Sequence, residues 1–145
     1  MPSWSEFEAE QPELAARARR FLDLRTHKTI ATVRADGSPR LSGTETEFLD
    51  GDLTIGSMWQ ARKARDLLRD PRFELHSGSV DPPEWEGDAR IWGRMREERF
   101  EHQGQPAHRF RADVEGVAVV SLNDARDKLV VETWRPGRGV TRVER

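Results

Sequence analysis

The sequence has no cysteine among its 145 residues. This absence excludes a disulfide framework, a thiolate zinc site, an iron–sulfur cluster and a cysteine nucleophile, because each of them needs that side chain. Long apolar runs are lacking too, since no stretch approaches the roughly 20 residues of a membrane span. The N-terminus is acidic and polar, without the basic and apolar regions of a secretory signal. We therefore expect a cytoplasmic protein with no membrane partner.

The chain also lacks a large excess of either sign of charge. The formal net charge is −2, which gives no overall field to attract nucleic acid, and no helix-turn-helix pattern accompanies the many arginines. We expect no nucleic-acid partner, although a local arginine surface remains an alternative. The apolar fraction, 35% against 34% charged, is low for a self-sufficient globule, so we expect a homodimer in which a second copy covers apolar surface.

Hydrophobic periodicity predicts one helix followed by several strands. Apolar residues at spacings of three and four predict a helix over 13–25, opened by Pro12. Alternating and β-branched residues predict strands, with Gly93 as a bulge. The segment from Glu101 to Ala112 is polar and predicts a short helix or a mobile loop. The predicted strands cover residues 29–35, 40–50, 53–57, 72–79, 87–100, 116–124 and 128–134.

The order of these elements predicts the fold class. Six or seven antiparallel strands with inserted helices form a small barrel of the α+β class, mainly β. A chain of 145 residues suits one domain, and no linker divides it. We expect a single domain over residues 1–145, with an N-terminal segment, 1–11, that can be mobile.

The charges of the segment from Ser57 to Pro71 run against the dipole of the helix that it predicts. Arg62, Lys63 and Arg65 fall in the first turns, where the partial positive charge of a helix normally attracts carboxylates. Cations beside the unpaired N–H groups of a helix start form a site for a phosphate. The alternative is a solvated helix face with Arg62 paired to Asp66 four residues on, and the local pattern leaves both interpretations open.

The flanking segments carry a resemblance to a known family. The run from Ser57 through QARKA to Asp70-Pro71 resembles the phosphate-binding segment of the pyridoxamine 5′-phosphate oxidase family, whose members are FMN-binding split β-barrels. ATVRADGSPRLS resembles that family's opening hairpin, GDARIWGRM its central strand, and KLVVETWRPGRGVTR its closing strand and tail. The resemblance extends from about Phe21 to Arg142 and implies an antiparallel split β-barrel.

The resemblance also implies roles for individual residues. Arg62 and Lys63 are expected to hold the cofactor phosphate, and Ser57, Met58 and Trp59 to lie along the ribityl chain and the ring.

The same resemblance bears on four further positions. Ser42 and Thr44 lie on the second strand, where the oxidases commonly use an arginine and other polar residues. Trp134 matches a tryptophan that approaches the flavin from the partner subunit, although packing in the core or an interface is the alternative for a strand-end aromatic. Arg142 falls near a substrate-binding arginine of the oxidases, but the spacing differs and we assign it no role.

The function implied is a flavin-dependent oxidoreductase. The resemblance implies a homodimer that holds FMN across its interface and transfers a hydride to or from a small organic substrate; since the cofactor performs that chemistry, no acid–base pair is required and the catalytic residues remain unassigned. An F420-dependent reductase and a non-catalytic flavin carrier or sensor are the alternatives. We expect weak or no oxidation of pyridoxamine phosphate, and no metal site, because the four histidines lack zinc-ligand spacing.

Overall fold

The computed structural model describes residues 2–145, including every side chain but that of Arg99. These residues form three helices and nine strands, and the strands make one antiparallel sheet. The helices are α1 (Trp4–Glu10), α2 (Pro12–Asp23) and α3 (Arg62–Arg69). The strands are β1 (Lys28–Val33), β2 (Pro39–Thr44), β3 (Thr46–Leu49), β4 (Asp52–Met58), β5 (Arg72–His76), β6 (Gly87–His102), β7 (Gln105–Leu122), β8 (Leu129–Arg135) and β9 (Gly139–Glu144).

The long strand β7 gives the barrel its split form. One edge of β7 pairs with β6 along almost its whole length. The opposite edge pairs with β4 over residues 107–111 and with β8 over residues 117–122. Because two different strands share that edge, the sheet divides beyond β7 into two branches. The predicted fold class, an α+β antiparallel split β-barrel, is confirmed.

The strand count exceeds the predicted six or seven among the residues described. The run predicted over 40–50 is two strands, because the chain changes partner at Glu45: β2 pairs with β1, and β3 pairs with β4. The tail also forms a strand, β9, on β8. Gly137 and Gly139 have φ of 74° and 66°, a conformation that glycine adopts readily and that turns the chain back.

The prediction of a short helix or mobile loop from Glu101 to Ala112 is wrong. The β6–β7 hairpin occupies that segment, with His102 opposite Gln105. Gln103 and Gly104 have φ of 53° and 78°, the two positive values of a tight hairpin turn. Polar residues dominate the segment, so its alternation was not recognised as that of a strand.

Gly93 forms the predicted bulge. The pairing of β6 with β7 shifts register between Trp92 and Gly93. A Cβ at position 93 would collide with the carbonyl oxygen of Asp113, so only glycine permits this approach of the two strands.

The helices cover the core at the N-terminal end of the chain. Helix α2 confirms the predicted helix and buries one apolar face. The segment 1–11, expected to be capable of mobility, contains α1, whose start has a capping box between Ser3 and Glu6. Trp4 and Phe7 of α1 are 1% and 0% exposed, so this helix packs into the core. In the part of the chain that the structure describes, no helix is long and apolar enough to cross a membrane.

Candidate functional site

A cleft of about 780 Å³ lies where β2, β4, α3 and the β6–β7 hairpin meet. Four of the predicted site residues line it: Thr44, Ser57, Met58 and Lys63. The full lining consists of His27, Gly43, Thr44, Glu45, Thr46, Glu47, Gly56, Ser57, Met58, Lys63, Phe100, His102 and Ala107. Residues that are far apart in the sequence therefore meet at one cleft.

One face of β2 forms the floor beneath the start of α3. Alternate residues of a strand share a face, so Arg40, Ser42 and Thr44 lie on one side of β2. Their burial exceeds that of Leu41 and Gly43, which are exposed on the other side. Ser42 therefore lies between Arg40 and the cleft residue Thr44.

Helix α3 begins without a side-chain cap. Its N-cap residue is Ala61, no carboxylate lies in the first turn, and Arg62 and Lys63 are its first two residues. Among the described residues, no side chain caps the free N–H groups of this start, and the charged side chains of its first turn are all cations. An anion would be stabilised at this position.

Lys63 joins α3 to β2. Its Nζ donates a hydrogen bond of 2.8 Å to the carbonyl oxygen of Gly43. Burial lowers the pKa of Lys63, and the charge of Glu45 offsets this in part. Among the described residues no carboxylate lies within 4.0 Å of the ammonium, so its charge is partly desolvated and lacks a close counterion.

Arg62 lies in a different hollow from Lys63. A space of about 190 Å³, which we call the arginine hollow, is lined by Ala35, Arg40, Arg62, Arg65, Asp66 and Arg69. Four arginines and one aspartate therefore line this hollow. The excess of positive charge favours an anion here, and arginine binds phosphate and carboxylate in a bidentate manner.

Asp66 anchors this arrangement instead of pairing with Arg62. Its Oδ2 accepts hydrogen bonds from Thr32 at 2.8 Å and Arg40 at 2.7 Å, and its Oδ1 accepts one from Arg69 at 3.0 Å. Burial would raise the pKa of Asp66, but the hydrogen bonds from Arg40, Thr32 and Arg69 outweigh it and hold the pKa below its usual value. In the described structure, the i, i+4 pair that would have neutralised Arg62 is not formed.

Trp59 lies beside the cleft on a histidine that the sequence did not single out as functional. The Trp59 ring stacks on His108, with centroids 4.6 Å apart and an interplanar angle of 9°. Trp59 is 52% exposed, whereas His108 is 1% exposed. Trp59 also lines a neighbouring hollow of about 420 Å³, which shares Phe100 and Ala107 with the cleft.

Trp134 and Arg142 lie apart from these residues. Trp134 is 1% exposed, its ring packs 4.8 Å from that of Phe7, and its Nε1 donates a hydrogen bond to Glu10. The structure thus gives Trp134 the position of a core residue. Arg142 lies on β9, where it contacts Glu144 at 3.4 Å.

Two residues of the site were missed at the level of sequence. Arg40 lies two residues before Ser42 on the same strand face, and the period of two could have revealed it. In the structure it pairs with Asp66 at the edge of the arginine hollow. His108 had no such signal, because its segment was not recognised as a strand.

Comparison with known proteins gives the family. Residues 14–140, which are most of the chain, match the family model described as pyridoxamine 5′-phosphate oxidase. A comparison with curated proteins found no match.

Solved structures share the fold at low sequence identity. A pyridoxamine 5′-phosphate oxidase-related, FMN-binding protein from Nostoc punctiforme is 11% identical, with 93% of this chain and 95% of that chain covered and a TM-score of 0.67. PhzG from Burkholderia lata, in complex with tetrahydrophenazine-1-carboxylic acid, is 10% identical, with 99% and 93% covered and a TM-score of 0.65. A heme binding protein from Mycobacterium smegmatis is 18% identical, with 92% and 59% covered and a TM-score of 0.58. Because the family model spans most of the residues that form the split barrel, the chain belongs to the pyridoxamine 5′-phosphate oxidase family.

Proposed function

We propose that the chain is an FMN-dependent oxidoreductase that holds its cofactor in the cleft beside α3. The observation that carries this proposal is the start of α3, where Arg62 and Lys63 lie beside uncapped N–H groups and, within the part of the chain that the structure describes, form no salt bridge with a carboxylate. Family membership and the FMN-binding neighbour support it. Both lines lead to the same ligand, an organic phosphate.

The phosphate is bound between the first turn of α3 and the polar face of β2. Lys63 approaches from the cleft, Arg62 from the arginine hollow, and Ser42 lies on the strand between Arg40 and Thr44. Lys63 supplies a point charge and Arg62 a planar pair of donors. The cleft and the arginine hollow are therefore the two sides of one phosphate clamp.

The rest of the cofactor lies along the end of β4. The Ser57 hydroxyl and the Met58 side chain line the cleft, where they can contact a ribityl chain and a ring. Met58 is 82% exposed, and an apolar side chain at a cleft mouth gains free energy when a ring or a second copy covers it. Trp59 offers a flat aromatic face at the same edge.

Bound FMN would supply hydride transfer to or from a small organic substrate. The residues of this chain bind the phosphate, orient the ring and exclude water from one side of it. No side chain is assigned a proton-transfer step. Since Trp134 is buried beneath α1, we leave it out of the cofactor site.

The active form that we propose is a homodimer with the cofactor at the interface. On the outer face of β2, Leu41 lies two residues before Gly43, which lines the cleft. Leu41 is 72% exposed, and Met58, which itself lines the cleft, is 82% exposed. A second copy that covered these side chains would also close the cleft.

A haem protein is a second candidate function. His27 and His102 both line the cleft, and neutral imidazole is a common ligand of haem iron. The heme binding protein from Mycobacterium smegmatis shares the fold. Since the same cleft also holds Lys63, a flavin phosphate and a haem propionate would compete for one cation.

An absorption spectrum and the mass of the ligand that copurifies test the proposal. We expect a flavin spectrum, the mass of FMN and bleaching of the bound cofactor by a nicotinamide donor. A deazaflavin spectrum would contradict FMN and favour F420, and a Soret band would favour haem. A bound flavin that no donor reduces and no acceptor reoxidises would favour a carrier or sensor over an enzyme.

A further inference from the structure

The turn that joins β4 to α3 has an unfavourable backbone conformation. Gln60 has a φ of 61°, and this left-handed region is unfavourable for a residue other than glycine. The turn spans only Trp59, Gln60 and Ala61 between β4 and the first residue of α3. The N–H of Ala61 closes the turn with a hydrogen bond of 3.1 Å to the carbonyl oxygen of Met58, and a contact from outside would stabilise the conformation of Gln60 further.

His108 supplies that contact from β7. The backbone N–H of Gln60 donates a hydrogen bond of 3.1 Å to Nε2 of His108. On the other side of the ring, Nδ1 lies 2.8 Å from Oε1 of Glu97. A neutral imidazole whose proton is on Nδ1 satisfies both contacts, because it donates to the carboxylate and accepts from the amide.

The same ring supports Trp59. Since the two rings are nearly parallel and 4.6 Å apart, one face of Trp59 is covered by His108, and Trp59 keeps about half of its surface exposed. Glu97 on β6 thus orients His108, and His108 fixes two consecutive residues of the turn. The position of this turn determines where α3 starts.

We propose that His108 is a positioning residue that holds the Trp59–Gln60 turn and so places Trp59 and the start of α3 for the cofactor. The part about the cofactor rests on the function proposed above, whereas the part about the turn does not. Nε2 must remain an acceptor for the role to be fulfilled. The contact of Nδ1 with Glu97 favours the tautomer whose proton is on Nδ1, and this tautomer leaves Nε2 as the acceptor.

Amide hydrogen exchange in the apoprotein tests the hold on the turn. We expect the Gln60 amide to be protected in the wild type and in His108→Gln, whose side-chain oxygen can still accept a hydrogen bond. His108→Phe retains a ring to stack on Trp59 but has no acceptor, so protection should fall about fivefold, as expected for one hydrogen bond. Equal protection in His108→Phe and the wild type would overturn the proposal.

A second variant covers the case in which His108→Phe does not fold. Glu97 is 35% exposed in its side chain, so Glu97→Ala should fold, yet it frees the ring to carry its proton on Nε2. We expect the Gln60 amide to be less protected in Glu97→Ala than in the wild type. The control is Glu101→Ala, which changes an exposed residue of the same strand and should leave the protection of Gln60 unchanged. Equal protection in these two variants would also contradict the proposal.

FMN affinity tests the consequence for the site. The variants that release Gln60 should bind FMN about fivefold more weakly, and His108→Gln should restore most of the affinity. Loss of Gln60 protection with unchanged FMN affinity would overturn the positioning role. If the wild type itself fails to bind FMN, the proposed function fails, and the exchange results alone decide whether His108 holds the turn.

Discussion

At the scale of a single residue, the position of Lys63 suits the binding of an anion. Its ammonium contacts a carbonyl oxygen, and burial lowers its pKa, so in the free protein the charged form is less stable than in water. A phosphate at the start of α3 would reverse this effect, because an opposite charge favours the ammonium form. Lys63 should therefore bind phosphate only while it is protonated.

FMN affinity should accordingly fall at alkaline pH. Because its pKa is lowered, Lys63 begins to lose its proton below the usual lysine value of about 10.4. As the pH rises through that range, we expect the dissociation constant of FMN to increase about tenfold, the effect of one charge-assisted hydrogen bond. Fluorescence titration at successive pH values measures this change.

Lys63→Arg is the matched control, since arginine keeps its charge throughout this range. Its affinity should stay constant while that of the wild type falls. Parallel alkaline losses in both proteins would mean that another group is responsible, and Lys63 would not be the phosphate ligand.

The sequence predicted these two cations for a physical reason. Charge order along a helix is a local property, and Arg62 and Lys63 could be identified from it. The partners of Asp66 could not, because Thr32 and Arg40 come from strands whose distance from α3 depends on the whole sheet. His108 was missed for the same reason: its role depends on a turn 48 residues earlier.

At the scale of secondary-structure elements, Asp66 attaches α3 to the sheet. Through one carboxylate it joins α3 to Thr32 of β1 and to Arg40 of β2. Its side chain is 4% exposed, and its hydrogen bonds hold its pKa below the usual value. The phosphate clamp that we propose would therefore depend on a buried ion pair that the cofactor itself need not touch.

Asp66→Asn should lower the free energy of unfolding by about 3 kcal/mol, as breaking a buried ion pair does. The folded-state pKa of Asp66 is lowered, so its contribution is complete above about pH 3.9 and is lost as the pH falls through the folded-state value. Urea denaturation of both proteins over the acidic range measures this. A difference below about 0.5 kcal/mol at neutral pH, or one that does not shrink on acidification, would contradict the role of Asp66.

Elements with a local signature were predicted well, and those defined by partners were not. Helix α2 and the hairpin of β1 and β2 follow from periodicity and turn residues. Polar residues dominate the segment 101–112 of the β6–β7 hairpin. It could be recognised as strand only from its pairing in the folded structure. The break between β2 and β3 likewise reflects a change of partner at Glu45.

At the scale of the whole molecule, the cleft lies where the two ends of the curled sheet approach each other. The strand order β2-β1-β5-β6-β7-β4-β3 places β2 at one end and β4 next to the other, and β2 contacts β4. Met58 and Leu41 remain exposed at 82% and 72%. Exposure of large apolar side chains beside a binding cleft favours coverage by a second copy.

Sedimentation equilibrium should give twice the 16.7 kDa of one chain. Leu41→Glu should shift the equilibrium toward the monomer, because a carboxylate would be buried at the interface. Leu24→Glu is the control, since Leu24 is exposed at the end of α2 and does not line the cleft. A monomeric wild type, or equal effects of the two variants, would contradict an interface beside the cleft.

FMN binding by a charge-deleted clamp tests the central claim most directly. The double variant Arg62→Ala plus Lys63→Ala should bind FMN at least about 100-fold more weakly than the wild type, because it loses two charge-assisted contacts. The control Lys128→Ala plus Arg138→Ala removes the same charge from exposed positions on two turns and should bind like the wild type. Equal dissociation constants for all three proteins would contradict a phosphate clamp at the start of α3.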